Sequence, residues 1–306
     1  MYIPLSIVVL WKWTLRLPPP LFAGSITFGV LLYGPALFYG SLSNVMKTTL
    51  AKLPEWMKAP LRWLVTHVRA IPYYGTGRVC PVCTKSSRRF RTYGAVARKE
   101  AECAHCSALE RHRLLWLFVS RRTDLFDGKS KQVLHVAPEP CLATRLQEKL
   151  GDDYITADLY RPTARVRMDI TNIDYPDESF DVIYCSHVLE HVLDDRKAMR
   201  EFHRTLKSDG WAILLVPISA DVTYEDASIV EPQDRLKAFG QEDHVRRYGP
   251  DYADRLREAG FDVAITGIHD LADDDEILRM GLRHASGDIF YCTKRRTGAG
   301  AGSKQL

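Results

Sequence analysis

From residue 132 onward the chain alternates short apolar runs with helical patterns, and this alternation restricts its fold more than any other feature. Apolar, β-branched runs at 132–136, 153–157, 165–169, 180–185, 211–217, 261–267 and 288–293 predict strands. Helical spacing predicts helices over 141–149, 192–206 and 250–259. The turn signals "SDG" at 208–210 and "AGF" at 259–261 separate the elements. Together they predict an α/β domain: a seven-stranded, mostly parallel sheet with helices on both faces. Such sheets bind ligands at the carboxyl ends of their strands, which selects the residues to inspect.

Charge divides the chain near the same place. Residues 1–131 hold 20 Lys and Arg against 6 Asp and Glu, whereas residues 132–306 hold 22 against 32, so a part of +14 precedes one of −10. A basic leading part suits nucleic acid, an anionic membrane surface or an acidic substrate. Residues 21–40, "LFAGSITFGVLLYGPALFYG", carry no charge. As a helix they would reach about 30 Å, the thickness of a hydrocarbon core. This N-terminal hydrophobic helix is expected either to enter a membrane or to be buried in protein. Lys12 and Arg16 precede it and Lys47, Lys52, Lys58, Arg62 and Arg69 follow it, which favours a cytoplasmic carboxyl-terminal side. Residues 53–68 read as an interfacial helix or as an amphipathic helix packed on the protein.

Cys80 and Cys83 form "CPVC", Cys103 and Cys106 form "CAHC", and the two knuckles can turn four thiolates toward one tetrahedral Zn²⁺. Metal would order a stretch with too little apolar sequence to fold well alone. Cys141, Cys185 and Cys292 bring the total to an odd seven, unlike an extracellular disulfide framework. His105 is a substitute ligand that four cysteines make unnecessary. Arg88, Arg89, Arg91, Arg98 and Lys99 lie between the knuckles, where they would touch phosphates or form a solvated face that offsets the thiolates.

The segment "KQVLHVAPEPCLATRL", 131–146, runs from a strand into a turn that lacks the glycines of a dinucleotide loop. Asp158 ends the second strand, where a carboxylate accepts from a ribose diol or merely closes a surface turn. Asp169 ends the third, with Ile170 next to it, placed for a base or for a helix cap. Ser186 and His187 end the fourth, followed by Glu190 and His191 in "HVLEH", which lacks the His-Glu-x-x-His order of zinc proteases. A second metal on His187 and His191 is not expected. The loop "FGQEDHVRRYG", 239–249, holds Asp243, His244, Arg246, Arg247 and Tyr248 and is expected to cover a site or to be solvated.

These positions together resemble the class I S-adenosylmethionine-dependent methyltransferase family, in its type 11-like branch. "DESFDVIYCSHVLEHVLDDRKAMREFHRTLKSDGWAILLVP" is the segment that carries the likeness, which spans about residues 131–293. The resemblance implies a Rossmann-like fold and S-adenosylmethionine as cofactor. It places Ala137, Glu139 and Cys141 at the family's usual glycines and His135 where an acidic residue often stands. Asp158 takes the ribose position, Asp169 and Ile170 flank adenine, and Ser186 and His187 lie under the methionine part. S-adenosylmethionine has no phosphate, so its loop needs no anion nest of glycines. Glu139 would repel a pyrophosphate but could accept from the cofactor's ammonium or lie near its sulfonium.

The expected organisation is a hydrophobic, basic segment at 1–70, a zinc-binding module at 71–125, a methyltransferase domain at 126–293 and a disordered tail at 294–306. The expected reaction is methyl transfer to an oxygen or nitrogen of a small or lipid-linked acceptor, with His187, His244 and His191 as candidate bases. The catalytic domain is expected in the cytoplasm, anchored to a membrane if 21–40 inserts. The rival readings are a zinc-assisted RNA methyltransferase and a non-catalytic membrane-associated interaction protein that retains the fold.

Overall fold

The computed structural model describes residues 60, 64, 66–94, 96–283 and 286–295. The hydrophobic run 21–40, most of 53–68 and residues 296–306 lie outside them. Among the described residues no helix is long and apolar enough to cross a membrane.

In the cysteine-rich part, β1 (Arg78–Val79) pairs with β2 (Ser86–Ser87), and β3 (Arg91–Tyr93) pairs with β4 (Arg98–Glu102). Helix α1 (Glu110–Arg122) follows. The alternating part then runs β5 (Val133–Val136), α2 (Pro140–Leu150), β6 (Tyr154–Asp158), β7 (Val166–Arg167), β8 (Phe180–Ser186), α3 (Asp195–Thr205) and β9 (Leu206–Leu215). After it come β10 (Tyr224–Glu225), α4 (Pro232–Phe239), β11 (Arg246–Arg247), α5 (Tyr252–Glu258), β12 (Phe261–Thr266), α6 (Asp274–Met280) and β13 (Ile289–Lys294).

The seven expected strands form one sheet in the order β12-β13-β9-β8-β5-β6-β7. Only β13 runs antiparallel to its neighbours. From β5 the chain crosses through α2 toward one edge, and from β8 it crosses through α3 toward the other. Right-handed crossovers in opposite directions put these helices on opposite faces. The order therefore reverses between β5 and β8, the place where such sheets open a crevice.

Local chemistry sets the element ends. Pro140 occupies the first turn of α2, where its missing N–H costs nothing, and Leu142 and Leu146 bury one face of that helix. Helix α3 starts at Asp195 rather than at 192, because Asp194 Oδ1 accepts from the Lys197 amide at 2.8 Å. Its Ala198, Met199 and Phe202 are fully buried. The "SDG" signal lies inside β9 as a register shift: Phe180 pairs with Leu206 but Val182 with Trp211. A Cβ on Gly210 would stand 2.6 Å from the Asp181 carbonyl oxygen, so a side chain is excluded there. At the other end, β13 extends through Lys294, one residue into the stretch expected as tail.

Helix α1, within the 71–125 segment, packs on the sheet. Its Leu114, Leu115, Leu117 and Phe118 share one core with Val82, Phe90 and the strands. Arg121 donates to the Leu271 carbonyl at 2.8 Å and pairs with Glu276 at 2.6 Å.

Candidate functional site

Among the described residues, four cysteine sulfurs and a cavity beside them are the first places to look for chemistry. Cys80 Sγ lies 3.7 Å from Cys106 Sγ, and Cys83 Sγ lies 3.8 Å from Cys103 Sγ. All four sulfurs are within 4.8 Å of one another. A tetrahedron with metal–sulfur bonds of about 2.3 Å has an edge of about 3.8 Å, whereas a disulfide needs about 2.05 Å. The residues therefore fit a four-thiolate zinc ion and are not paired as disulfides. The knuckles are built alike: Thr84 and Ser107 each follow the second cysteine at φ near +60°, with their amides donating to the Cys80 and Cys103 carbonyls. The His105 amide donates to Cys103 Sγ at 3.4 Å while its ring bonds the Ser86 carbonyl, so His105 supports the knuckle and is not a ligand. Buried Arg113 donates to the Ala101, Ala108 and Gly281 carbonyls and lies over Phe90, which ties the second knuckle to the turn after α6. Of the basic residues between the knuckles, Arg91 pairs with Glu102 and Arg98 with Glu110.

A cavity of about 410 Å³ opens at the carboxyl ends of β5 and β8, lined there by Ala137, Glu139, Cys141, Ser186 and His187. Its opposite wall comes from the cysteine-rich part and the start of α1, with Tyr93, Cys106, Arg111 and His112. Sequence reasoning missed this wall: the only signal was that a helix begins four residues after the last knuckle cysteine.

Glu139 is the cavity's best-supported anion. His135 is completely buried in β5, with Tyr154 Oη 2.5 Å from Nδ1 and Glu139 Oε2 2.9 Å from Nε2. Burial and the nearby Glu139 carboxylate push the Tyr154 hydroxyl up, so it stays protonated and donates to Nδ1. That leaves the Nε2 proton to donate to Glu139. Tyr184 Oη donates to Oε1 at 3.1 Å. Burial pushes the Glu139 carboxyl up, but the hydrogen bond that His135 donates outweighs it and holds it below the usual carboxylate value. Glu139 is thus ionised at neutral pH, with lone pairs left on both oxygens.

Four further residues line the cavity: Arg111, His112, Cys141 and Ser186. Burial, helped by the Arg111 cation, holds His112 at about 3, so its ring is neutral. Its Nδ1 lies 3.2 Å from both the Leu109 amide and Cys141 Sγ. Burial and the Glu139 charge push the Cys141 thiol up to about 12, which makes it a poor nucleophile. Arg111 Nε, His112 Nε2 and Ser186 Oγ are buried without a hydrogen-bond partner. Polar atoms orphaned around one cavity are the expected mark of a ligand site.

Two backbone positions shape the opening. Ala137 has φ +50° and donates its amide to the Ala157 carbonyl at 2.8 Å. His187 has φ +54° and donates to the Leu215 carbonyl at 2.9 Å, leaving its ring one-third exposed at the cavity. The loop therefore keeps a left-handed turn of the kind glycines favour, with an alanine in it.

Asp158 and Asp169 lie outside the cavity lining. Asp158 is nearly buried, and its Oδ1 accepts from the Tyr160 and Arg161 amides, both at 2.8 Å. Its Oδ2 lies 3.9 Å from Arg161 Nε. Asp169 is exposed and lies beyond the short β7, where Oδ1 accepts from the Thr171 amide and hydroxyl; the adjacent Ile170 is buried. His191 and His244 also lie outside the lining, with ring centroids 4.6 Å apart. The 239–249 loop is less solvated than its composition predicts, because Arg246 and Tyr248 are buried. Arg246 donates to the Leu189, Val192 and Leu193 carbonyls, and Tyr248 donates to Asp195 at 2.6 Å.

Comparison with known proteins meets this geometry at β5 to β9. Residues 121–214 match the family described as "Methyltransferase domain". The matched segment contains His135, Ala137, Glu139, Ser186 and His187, but neither the cysteine knuckles nor the 239–249 loop. Over 75 residues the chain is 40% identical to the uncharacterized methyltransferase YcgJ of Bacillus subtilis, a stretch that is 24% of this chain and 28% of that relative. The match thus spans less than a third of the relative's length. Among solved structures, an S-adenosylmethionine-dependent methyltransferase from Mesorhizobium loti is 14% identical, with 60% of this chain and 98% of that chain covered at a TM-score of 0.42. The 1,6-didemethyltoxoflavin-N1-methyltransferase of Burkholderia thailandensis, bound to 1,6-didemethyltoxoflavin and S-adenosylhomocysteine, is 16% identical, with 61% and 79% covered and a TM-score of 0.39. The methyltransferase-domain match supports S-adenosylmethionine-dependent methyl transfer as the chemistry of this part of the chain.

Proposed function

We propose that the protein transfers a methyl group from S-adenosylmethionine to a hydroxyl or amine of a small or lipid-linked acceptor at the cytoplasmic face of a membrane. One observation carries the reading. Ionised Glu139 and the Arg111 side chain line the same cavity at the β5/β8 switch point, and Arg111 Nε is buried without a partner. An anion and a free guanidinium N–H together complement the ammonium and carboxylate of an amino-acid end. A pyrophosphate would meet Glu139 instead, which disfavours a dinucleotide.

On this reading Glu139 takes the ammonium, the role left open by His135, and Arg111 takes the carboxylate. Asp158 Oδ2 is the oxygen left to reach a ribose, and Asp169 and Ile170 flank the base. When bound, S-adenosylmethionine supplies an electrophilic methyl group on a sulfonium. His187, at the cavity mouth, would receive the proton of an attacking hydroxyl, or take one from an ammonium so that the neutral amine can attack. Zinc on Cys80, Cys83, Cys103 and Cys106 is structural: four thiolates leave no open coordination position, and the module forms the wall opposite Glu139. The apolar run 21–40 and the basic residues after it support the membrane-proximal, lipid-linked acceptor.

A thermal melt tests the cofactor class. S-adenosylmethionine at a hundred times its Kd should stabilise the protein by about 2.7 kcal/mol and raise Tm by several degrees. NAD⁺ at the same concentration should leave Tm unchanged. A shift with NAD⁺ alone would overturn the reading.

A further inference from the structure

Beside the cavity lies a cluster that the methyl-transfer reading leaves without a task. Glu190 is 2% exposed, its Oε2 has no hydrogen-bond partner, and its Oε1 lies 3.3 Å from His187 Nδ1. A carboxylate oxygen buried that deeply without a donor is costly and calls for a cation. His191 follows it in the chain, and its ring meets that of buried His244 edge-on. One ligand atom from each of Glu190, His191 and His244 lies within 4.8 Å of the other two.

The geometry points to a binding site for one divalent first-row transition-metal ion, held by Glu190, His191 and His244. Metal bonds of about 2.0–2.2 Å bring neighbouring ligands to about 3–3.5 Å. His191 is one-third exposed, so its side chain has room to adjust toward the other two ligands. Asp243 Oδ2 lies 3.3 Å from His191 Nδ1, the arrangement in which a carboxylate orients an imidazole and leaves Nε2 to coordinate. The ligands sit on braced backbone: the Val245 amide donates to the Glu190 carbonyl at 2.9 Å, and Arg246 clamps the Leu189 and Leu193 carbonyls. Two imidazoles and one carboxylate favour Zn²⁺, Mn²⁺, Fe²⁺, Co²⁺ or Ni²⁺ over Mg²⁺ and Ca²⁺, and three protein ligands leave positions open. Resting on the methyl-transfer reading, one consequence follows: His191 and His244 serve as ligands, and His187 alone remains as base.

The test titrates the full-length protein, its four-cysteine site loaded with zinc, with Co²⁺ and follows visible absorption and metal content. One further equivalent should bind, with weak bands of nitrogen and oxygen coordination and no new thiolate charge-transfer band. His191→Ala, at a partly exposed position, should lower Co²⁺ affinity about 100-fold while its circular dichroism stays native. Glu190→Gln should do the same, and His191→Ala decides alone if the buried substitution unfolds the protein. No further equivalent at millimolar Co²⁺, or unchanged affinity in His191→Ala, overturns the site. S-adenosylmethionine is absent from every arm, so this outcome is separate from that of the methyl-transfer reading.

Discussion

Ala137 illustrates how a single residue can hold a turn made for another. Its φ of +50° is a left-handed conformation that costs an L-residue with a Cβ about 1–2 kcal/mol. Ala137→Gly removes that strain and adds back part of it as unfolded-state entropy, so it should stabilise the protein by about 0.5–1 kcal/mol in urea titration. A loss of stability would show that the methyl group packs usefully. At this scale the sequence was legible in part. Glu139 stood out because an acid replaced a glycine, and its place in the cavity follows from Pro140 starting α2 one residue later. Arg111 and His112 were not legible, because their role depends on where α1 lies against the sheet. Asp158 and Asp169 were visible as strand-end acids, yet the chain alone could not tell that each commits one oxygen to its own turn.

Among the elements, the seven strands of the large sheet and α2, α3 and α5 were readable from apolar spacing to within about five residues. The 218–250 connection was not, since its Arg246 and Tyr248 are buried against Asp195, which lies outside it. Asp195, at the start of α3, accepts from Tyr248 at 2.6 Å and Arg255 at 3.0 Å and lies 3.7 Å from Arg246. Glu225 of β10 pairs with the same two arginines. All of these except Glu225 are buried, and removing one partner of a buried ion pair leaves uncompensated charge. Asp195→Ala should therefore cost about 3–5 kcal/mol in chemical denaturation and loosen the segment that carries His244. A cost under about 1 kcal/mol would mean that Glu225 alone satisfies both arginines.

For the molecule as a whole, the cysteine-rich part and the alternating part share one core, and each supplies one wall of the cavity. The four-thiolate spacing was legible in the two knuckles; that it builds the site was not, because the contact joins residues distant in sequence. With zinc in the knuckles as proposed, its chelation should weaken S-adenosylmethionine binding at least tenfold as well as unfold the knuckles. Unchanged binding after full metal release would confine the module to a peripheral role.

In the proposed function, ionised Glu139 and Arg111 receive the amino-acid end of S-adenosylmethionine. Calorimetry of the full-length, zinc-loaded protein tests it most directly, with the native sequence and Glu139→Gln measured side by side. Binding should be saturable, and Glu139→Gln should weaken it by about 10- to 100-fold, the worth of one charge-assisted hydrogen bond. No heat at millimolar S-adenosylmethionine from a folded protein, or equal affinity in the two, would contradict it.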